Sequence, residues 1–283
     1  MAIPRFFIDQ PPVHQACAPG VVLNLAKDTK NYHHITKVLR FAKGNHVEIT
    51  IRDLWETWLC QIEAIDEQGL QFRCLELLES DQLPFEVTLV LGFSKGDTNE
   101  KVVRQATELG VKQVVPVLFE RSISRPEPKK AQAKIGRLRK IATSAAQQSH
   151  RSDLPQIENL HSFKDLLKFI ESTQPDLIAV PWEEEDQKTL WDYIESADLS
   201  QTLQAAQLPQ PLHLFMIIGP EGGISAEEID QLQKLGAQSL SLGPTILRVD
   251  TAVVASLSIA SSALQKKLSK KLHKRKDDGT LPH

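Results

Sequence analysis

Apolar and polar residues alternate with a period of two in the first part of the chain, up to about residue 82. The segments 46–53, 57–66 and 70–78 follow this pattern, and turn residues separate them. A period of two is typical of strands that bury one face, and short connections favour antiparallel pairing. The pattern predicts a small antiparallel barrel or sheet as a first domain, residues 1–82.

From residue 83 onward, apolar runs alternate with amphipathic segments. The runs 86–93 and 111–119 flank a segment, 99–109, whose apolar residues recur at helical spacing on one side. Strands that alternate with helices form mainly parallel sheets. This part of the chain therefore predicts a second domain of the α/β class, residues 83–283.

The second domain continues this alternation to its end. A helix rich in Lys and Arg is predicted at 128–148, and the polar segment 183–211 is predicted to be loop-like or partly helical. Further strands are predicted at 175–182, 212–219 and 239–243, and further helices at 224–236 and 251–272.

The composition is that of an ordinary folded protein, with 41% apolar and 24% charged residues in a chain of 283. Cys17, Cys60 and Cys74 have neither CxxC spacing nor a nearby histidine cluster, so we expect reduced thiols and no metal site. The first residues lack the apolar core of a signal peptide, and no stretch reaches the ~18 apolar residues of a membrane span. A cytoplasmic protein without membrane association is expected.

Charge is distributed unevenly along the chain. The net charge is −3, and residues 265–276 contain seven Lys or Arg and no acid, so the remainder sums to −3 − 7 = −10. Such a basic run can neutralise phosphates, but it is equally typical of a frayed helix end. The acidic run 183–186 is predicted to be a solvated loop away from any surface that binds nucleic acid.

Two glycine-containing turns follow apolar strands and lead into predicted helices. The first glycine turn, residues 219–223, reads GPEGG, and the second glycine turn covers residues 243–248. Ligands of parallel α/β sheets bind where such loops leave the carboxyl ends of strands. Neither turn matches GxGxxG or GxxxxGK[ST], which disfavours a dinucleotide site and a phosphate loop. A tight strand-to-helix connection also explains the first glycine turn.

Neighbouring residues add detail to both turns. Ser225 and Glu228 have the spacing of a helix capping box directly after the first glycine turn. Ile246 and Leu247 are apolar residues in a predicted loop, which a flat ring such as adenine lying against them would explain.

These motifs, with others along the chain, resemble those of the bacterial 16S ribosomal RNA uridine-N3 methyltransferases, members of the knotted SPOUT superfamily. The matching segments extend over nearly the whole chain, from the opening PRFF to the final ILR: 4–7, 34–40, 106–111, 120–122, 148–151, 218–223, 242–244 and 246–248. The chain departs from the family pattern at Gln105, Gln147, Ser152, Thr245, Val249 and Asp250.

The resemblance implies a fold and a set of partners. It implies a PUA-like antiparallel β-barrel that binds RNA at residues 1–82. It also implies a SPOUT α/β domain at 83–283, which has a parallel sheet and whose end is threaded into a deep trefoil knot. It further implies a homodimer that uses S-adenosyl-L-methionine to methylate 16S rRNA, as free RNA or within the 30S subunit.

The resemblance also implies roles for individual residues. The cofactor is expected in three loops, held largely by backbone groups of Val180, Pro181, Ile218, Gly219, Pro220, Glu221, Gly222, Gly223, Leu242, Gly243, Ile246, Leu247 and Arg248. RNA is expected to contact Arg5, His34, Arg40, Lys95, Arg121 and Arg151. Because N3 of uridine must lose a proton, we expect Arg5 and Arg151 to stabilise the developing charge, with Asp250 or Glu221 as the base.

Simpler roles remain open for these side chains. Arg5 and Arg151 are also explained as surface charge, Glu221 as an acid favoured at a helix N-terminus, and Asp250 as a helix cap. Alternative functions are methylation of another RNA or at a ribose oxygen, and RNA binding without catalysis during ribosome assembly. Nucleotide hydrolysis is disfavoured because no lysine-bearing phosphate loop is present.

Overall fold

The computed structural model describes residues 3–8, 17–51, 56–78, 85–198 and 211–277, with side chains described as far as residue 268. The chain divides into two compact units. The first unit combines Met1–Gln82 with Thr143–Leu154, and the second combines Leu83–Ala142 with Pro155–His283. The segment Thr143–Leu154 therefore packs with N-terminal residues, although it is distant from them in sequence.

The first unit contains a five-stranded sheet in the order β1-β3-β4-β5-β2. Strands β3, β4 and β5 pair antiparallel, as the alternating pattern predicts, and β5 pairs antiparallel with β2. Strand β1 pairs parallel with β3, so the prediction of a wholly antiparallel sheet was wrong for this strand. The strands are β1 (Arg5–Ile8), β2 (Val22–Ala26), β3 (His46–Ile51), β4 (Glu56–Ile65) and β5 (Gly69–Leu78), and helix α1 (Lys30–His33) continues into a π-helical turn (His34–Val38).

Alternate residues of these strands form the core of the first unit. Val47 and Ile49 of β3 and Phe72 of β5 are fully buried. Cys60 and Cys74 are buried opposite each other on β4 and β5, with their Sγ atoms 3.9 Å apart. All three cysteines are free thiols, as predicted, and burial raises the pKa of the Cys17 thiol to about 11. The Cys17 thiol is therefore a poor nucleophile at neutral pH.

The second unit contains a parallel sheet in the order β12-β10-β11-β6-β7-β8, with β9 also paired to β7. Its parallel pairing confirms the α/β class. The strands are β6 (Phe85–Gly92), β7 (Gln113–Leu118), β8 (Gln156–Ile157), β9 (His161–Ser162), β10 (Leu177–Pro181), β11 (Leu212–Ile218) and β12 (Gln238–Leu240). The helices are α2 (Thr98–Glu108), α3 (Pro128–Gln148), α4 (Phe163–Thr173), α5 (Leu190–Ser196), α6 (Ala226–Lys234) and α7 (Val249–Asp277).

Helices cover both faces of this sheet, which explains why its central strands are apolar at nearly every position. On one face, Leu89 and Leu91 of β6 pack in a cluster with residues of α2, α3, α5 and α7. On the other face, Val90 packs in a cluster with residues of α4 and α6. The sheet is thus the middle of three layers.

The last helix continues through the basic run 265–276. Within its described side chains, Lys267 Nζ donates to three carbonyl oxygens at the end of α5, those of Ile194, Glu195 and Ala197, at 2.7, 2.6 and 2.6 Å. Lys266 lies over the ring of Trp191, with Nζ 5.1 Å from the centroid. The first two cations of the run therefore hold α5 against α7.

Candidate functional site

Three neighbouring strands of the second unit, β12, β10 and β11, end at the same edge of the sheet because they are parallel. The segments that follow them interact: Trp182 N donates to the Leu240 carbonyl oxygen at 3.0 Å, and Ser241 N to that of Lys188 at 2.8 Å. The structure thus brings together two of the three loops that the sequence singled out, those after β10 and β12.

Close packing explains the glycines of the first glycine turn. A Cβ on Gly222 would lie 2.6 Å from the Arg121 carbonyl oxygen, in the loop after β7. A Cβ on Gly223, whose φ is +76°, would lie 2.1 Å from Glu183 Oε1, in the loop after β10. The turn is therefore a tight connection from β11 to α6, as the simpler interpretation holds. It packs between two other loops and lies where a ligand of this fold would bind.

The helix after this turn begins with the predicted capping box. The Ser225 side chain accepts from Glu228 N, and the Glu228 carboxylate accepts from Ser225 N at 3.2 Å. Glu228 is buried and also accepts from Glu120 N at 2.8 Å. One carboxylate thus joins the start of α6 to the loop after β7.

The other predicted cofactor residues divide into buried and accessible groups. Val180 and Ile218 are buried in strands, so only their backbone groups are available to a ligand. Trp182 follows Pro181 at the end of β10, is partly buried, and donates from Nε1 to the Ile224 carbonyl oxygen at 3.2 Å. Its side chain thus links the loop after β10 to the loop after β11.

The second glycine turn is more open than the first. Gly243 has φ +116°, and nothing lies within 4 Å of the position of a Cβ there. Leu242 and Leu247 are partly buried, and Arg248 is exposed. Ile246 is 89% exposed, which is unusual for isoleucine and leaves an apolar surface beside the three loops.

The acidic run 183–186 is a loop in which Glu183, Glu184 and Asp186 are exposed, as predicted. Glu183 borders the first glycine turn, as described above. Glu185 accepts hydrogen bonds from Gln187 N at 3.0 Å and Ser239 Oγ at 2.9 Å, and these bonds hold the pKa of its carboxyl below the ordinary value of 4.5. Glu183 and Glu185 therefore contact the segments that form the candidate site.

The two candidate bases lie in the second unit. Glu221 is exposed within the first glycine turn. Asp250 lies inside the first turn of α7, because that helix begins at Val249, and its Oδ1 accepts from Thr251 N at 3.1 Å. The interpretation of Asp250 as the residue preceding the helix was therefore wrong, but its charge still favours the helix N-terminus.

Arg5 and Arg151 lie in the first unit, and each is held by a carboxylate. Arg5 Nε donates to Glu48 Oε2 at 2.8 Å, and its Nη1 donates to the carbonyl oxygen of His150. Arg151 Nε and Nη2 donate to Asp153 Oδ1 and Oδ2 at 2.9 and 2.8 Å. Both arginine side chains are only 10% exposed, so their interpretation as simple surface charge was wrong.

The remaining RNA candidates are exposed and lie in both units. His34 packs edge-on against Phe6 in the first unit, with ring centroids 5.8 Å apart. Arg40 adopts φ +55° at the end of the π-helical segment. Lys95 and Arg121 follow β6 and β7 in the second unit, at the edge that carries the first glycine turn.

Within the described ranges, no group of three or more His, Cys, Asp or Glu side chains is arranged to hold a metal ion. Over the same ranges, no helix combines the length and apolar character needed to cross a membrane.

Comparison with known proteins assigns the family. Residues 81–261 match the family described as "RNA methyltransferase domain", and residues 27–74 match the "RNA methyltransferase PUA domain". The chain belongs to this RNA methyltransferase family. It is 31% identical over 230 residues to ribosomal RNA small subunit methyltransferase E of Bacillus subtilis, covering 81% of this chain and 86% of the relative. It is 29% identical over 238 residues to the enzyme of the same name in Synechocystis, covering 84% and 72%.

Solved structures agree with this RNA methyltransferase assignment. One, described as a methyltransferase from Legionella pneumophila in complex with S-adenosylmethionine, has a TM-score of 0.72 and 26% identity, and covers 93% of this chain and 98% of that chain. Ribosomal RNA small subunit methyltransferase E from Neisseria gonorrhoeae shares the fold, with a TM-score of 0.71 and 22% identity, covering 92% and 98%.

Several residues of this RNA methyltransferase contact the predicted site residues without having been singled out from the sequence. Glu48 and Asp153 are isolated acids in the sequence, and only their contacts with Arg5 and Arg151 distinguish them. His150 supplies a carbonyl oxygen and adopts φ +55°, which is uncommon outside glycine.

Proposed function

We propose that this chain transfers the methyl group of S-adenosyl-L-methionine to N3 of a uridine in 16S ribosomal RNA. The observation that carries the proposal is the meeting of the loops after β10, β11 and β12 at one sheet edge, in a chain that belongs to an RNA methyltransferase family. The names of the relatives support small-subunit RNA as the substrate.

The residues at this edge fit S-adenosylmethionine. Exposed Ile246 offers an apolar surface to an adenine ring, and the open space at Gly243 allows close approach to the backbone. Main-chain groups of 180–182, 219–223 and 242–247 supply the hydrogen-bond donors and acceptors. When bound, the cofactor supplies an electrophilic methyl group, so the protein's task is chiefly one of positioning.

The protein must also promote loss of the N3 proton. We assign to Arg5 and Arg151 the placement of RNA and the stabilisation of the developing charge, and to Asp250 or Glu221 the role of base. The carboxylate partners Glu48 and Asp153 fix the orientation of the two guanidinium groups. This supports a role as oriented groups rather than as mobile phosphate contacts.

The proposal extends to the assembly and the finer fold. We propose a PUA-like barrel for the first unit, a SPOUT trefoil knot in the second, and a homodimer in which each cofactor site is completed by the partner. Light scattering of the purified protein is expected to give twice the chain mass of 31.7 kDa. A cytoplasmic location follows from the proposed ribosomal substrate.

Methyl transfer and its position are measured in one experiment. Small subunits or 16S RNA from a strain lacking the gene are incubated with the protein and methyl-labelled cofactor, and the RNA is then read by primer extension. Because N3 methylation blocks base pairing, a new stop beside a single uridine is expected. Label without a stop would indicate a ribose oxygen instead, and RNA binding without label or heat of cofactor binding would indicate an assembly factor.

A further inference from the structure

Helix α3 has an unusual charge composition. It carries six Lys or Arg side chains and no Asp or Glu over 21 residues. All six cations lie before residue 143, in the part of the helix that belongs to the second unit. Solvated helix faces commonly mix both signs, because oppositely charged pairs three or four residues apart stabilise a helix. Solvation alone therefore does not account for this helix.

The cations of α3 are separated from its buried face. Ala131, Ile135, Leu138 and Ala142 are buried against the sheet. At 3.6 residues per turn, four of the six cations fall on the opposite side of the helix, and Lys134 lies on its flank. We call these four side chains and Lys134 together the basic face: Lys129, Lys130, Lys134, Arg137 and Lys140. The sixth cation, Arg139, instead donates to the Ile157 carbonyl oxygen.

Three lysines of the basic face have no role within the fold. Arg137 pairs with Glu100 at 2.8 Å, and Lys134 lies over the ring of Phe93 with Nζ 5.3 Å from the centroid. Lys129, Lys130 and Lys140 are exposed, and over the described ranges no carboxylate lies within ion-pair distance of them. Their charge is therefore available to an external partner.

The basic face begins beside the candidate cofactor site. Helix α3 follows the loop after β7, whose Arg121 carbonyl oxygen packs against Gly222 of the first glycine turn. Lys134 contacts Phe93, directly after β6. Lys95 and Arg121 are exposed, and they follow β6 and β7 at the same edge of the sheet. The basic face extends about 16 Å along the helix from there, at 1.5 Å per residue.

We propose that the basic face of α3 binds backbone phosphates of the RNA and so directs the substrate toward the methyl-transfer site. This proposal rests on the proposed function and adds a docking surface to it. Lysine ammonium groups suit phosphates because both act as compact charges, and phosphate contacts fix the register of a nucleic acid without reading its sequence. The isolated acids near the helix, exposed Glu127 and paired Glu100, leave the face strongly positive.

The test uses the full chain with a triple substitution, Lys129→Gln, Lys130→Gln and Lys140→Gln. The matched control, Lys164→Gln, Lys168→Gln and Lys234→Gln, removes the same charge from exposed positions on α4 and α6. Affinity for a 16S RNA transcript and for small subunits from a strain lacking the gene is measured at several salt concentrations. Calorimetry with S-adenosylmethionine and thermal melting are run in parallel.

The triple variant is expected to bind both RNA probes at least tenfold more weakly than the control, with unchanged cofactor affinity. Its log affinity should depend less steeply on log salt, by about two units, since each lost phosphate contact removes ~0.7 for single-stranded RNA. Equal RNA affinity and slope in the two variants would overturn the proposal. So would weakening on subunits alone, which would identify a ribosomal protein as the partner. Failure of the wild type to methylate uridine would count only against the proposed function.

Discussion

Gly223 meets two constraints that a larger residue cannot satisfy together. Its φ of +76° lies in the left-handed region, and its missing side chain leaves room for the Glu183 carboxylate. The sequence pattern predicts a glycine turn at this position. It does not reveal that the space is filled by an acid forty residues earlier in the chain, because that contact depends on the neighbouring positions of β10 and β11.

Gly223→Ala is expected to weaken binding of S-adenosylmethionine at least tenfold, because the turn must shift away from the loop after β10. Calorimetry measures this effect. Gly136→Ala is a suitable control, since nothing lies within 4 Å of a Cβ at that position inside α3. The control should bind normally and gain roughly 0.5–1 kcal/mol of stability. Unchanged cofactor affinity in Gly223→Ala would show that the first glycine turn does not contact the cofactor.

Glu48 joins Arg5 and His150 through a single carboxylate oxygen, at 2.8 Å from Arg5 Nε and 3.2 Å from His150 Nδ1. The Arg5 and Glu48 side chains are 10% and 15% exposed. Glu48→Ala should lower the free energy of unfolding by about 3 kcal/mol, because a mostly buried guanidinium loses its partner. Urea denaturation measures the change.

Glu63→Ala provides the comparison within the same sheet. Glu63 pairs with Arg73 at the surface, where the side chains are 32% and 44% exposed. Exposed pairs contribute less than about 1 kcal/mol, so this variant should be nearly as stable as the wild type. Similar losses in both variants would contradict the structural role assigned to Glu48.

At the scale of elements, the candidate site depends on ties between segments that follow different strands. Ser239 of β12 donates to Glu185, in the loop after β10, and thereby lowers the pKa of that carboxyl together with Gln187 N. A carboxyl whose pKa is lowered by folding stabilises the folded state at a pH above its ordinary pKa. That contribution is lost as the pH falls through the pKa of the folded state.

Ser239→Ala should therefore reduce the loss of stability that accompanies acidification below about pH 4.5. Thermal melting between pH 3 and pH 7 measures this dependence. Ser258→Ala, at an exposed position on α7, serves as the control and should keep the wild-type pH profile. A parallel shift of the Ser239→Ala profile at every pH would argue against the tie to Glu185.

Helix α5 is fixed to α7 by Lys267, whose ammonium group satisfies carbonyl oxygens at the end of α5. Lys267→Met should cost about 2 kcal/mol, since hydrogen bonds from a charged group are lost. Lys266→Met removes only the contact with Trp191 and should cost less than about 1 kcal/mol. Chemical denaturation distinguishes the two variants. Equal stability of Lys267→Met and Lys266→Met would show that water replaces the hydrogen bonds of the Lys267 ammonium group.

At the scale of the whole molecule, the compact units do not follow the order of the sequence. Thr143–Leu154 belongs to the first unit, and its His150 carbonyl oxygen accepts from Arg5 of β1. A linear boundary near residue 82 is natural to infer from the change of hydrophobic period. The return of a later segment leaves no periodic signal, because its contacts are with residues far away in the sequence.

A fragment of residues 1–82 should consequently be less stable than the same residues in the full chain. Urea denaturation followed by the fluorescence of its two tryptophans, Trp55 and Trp58, measures the fragment, and addition of a peptide of residues 143–154 should restore part of the stability. The full-length protein carrying Arg5→Lys provides a second measure of the same contact. A fragment that is fully stable without the peptide would contradict the grouping of these segments.

The sequence by itself determined the period-two sheet, the parallel α/β sheet with its helices, the capping box of Ser225 and Glu228, and the positions of both glycine turns. These features depend on local spacing, which hydrophobic burial and backbone geometry impose directly. Tertiary structure alone decided that Glu183 packs on Gly223, that Glu48 holds Arg5, and that β1 pairs parallel. Such contacts join residues far apart in sequence, so no local pattern encodes them.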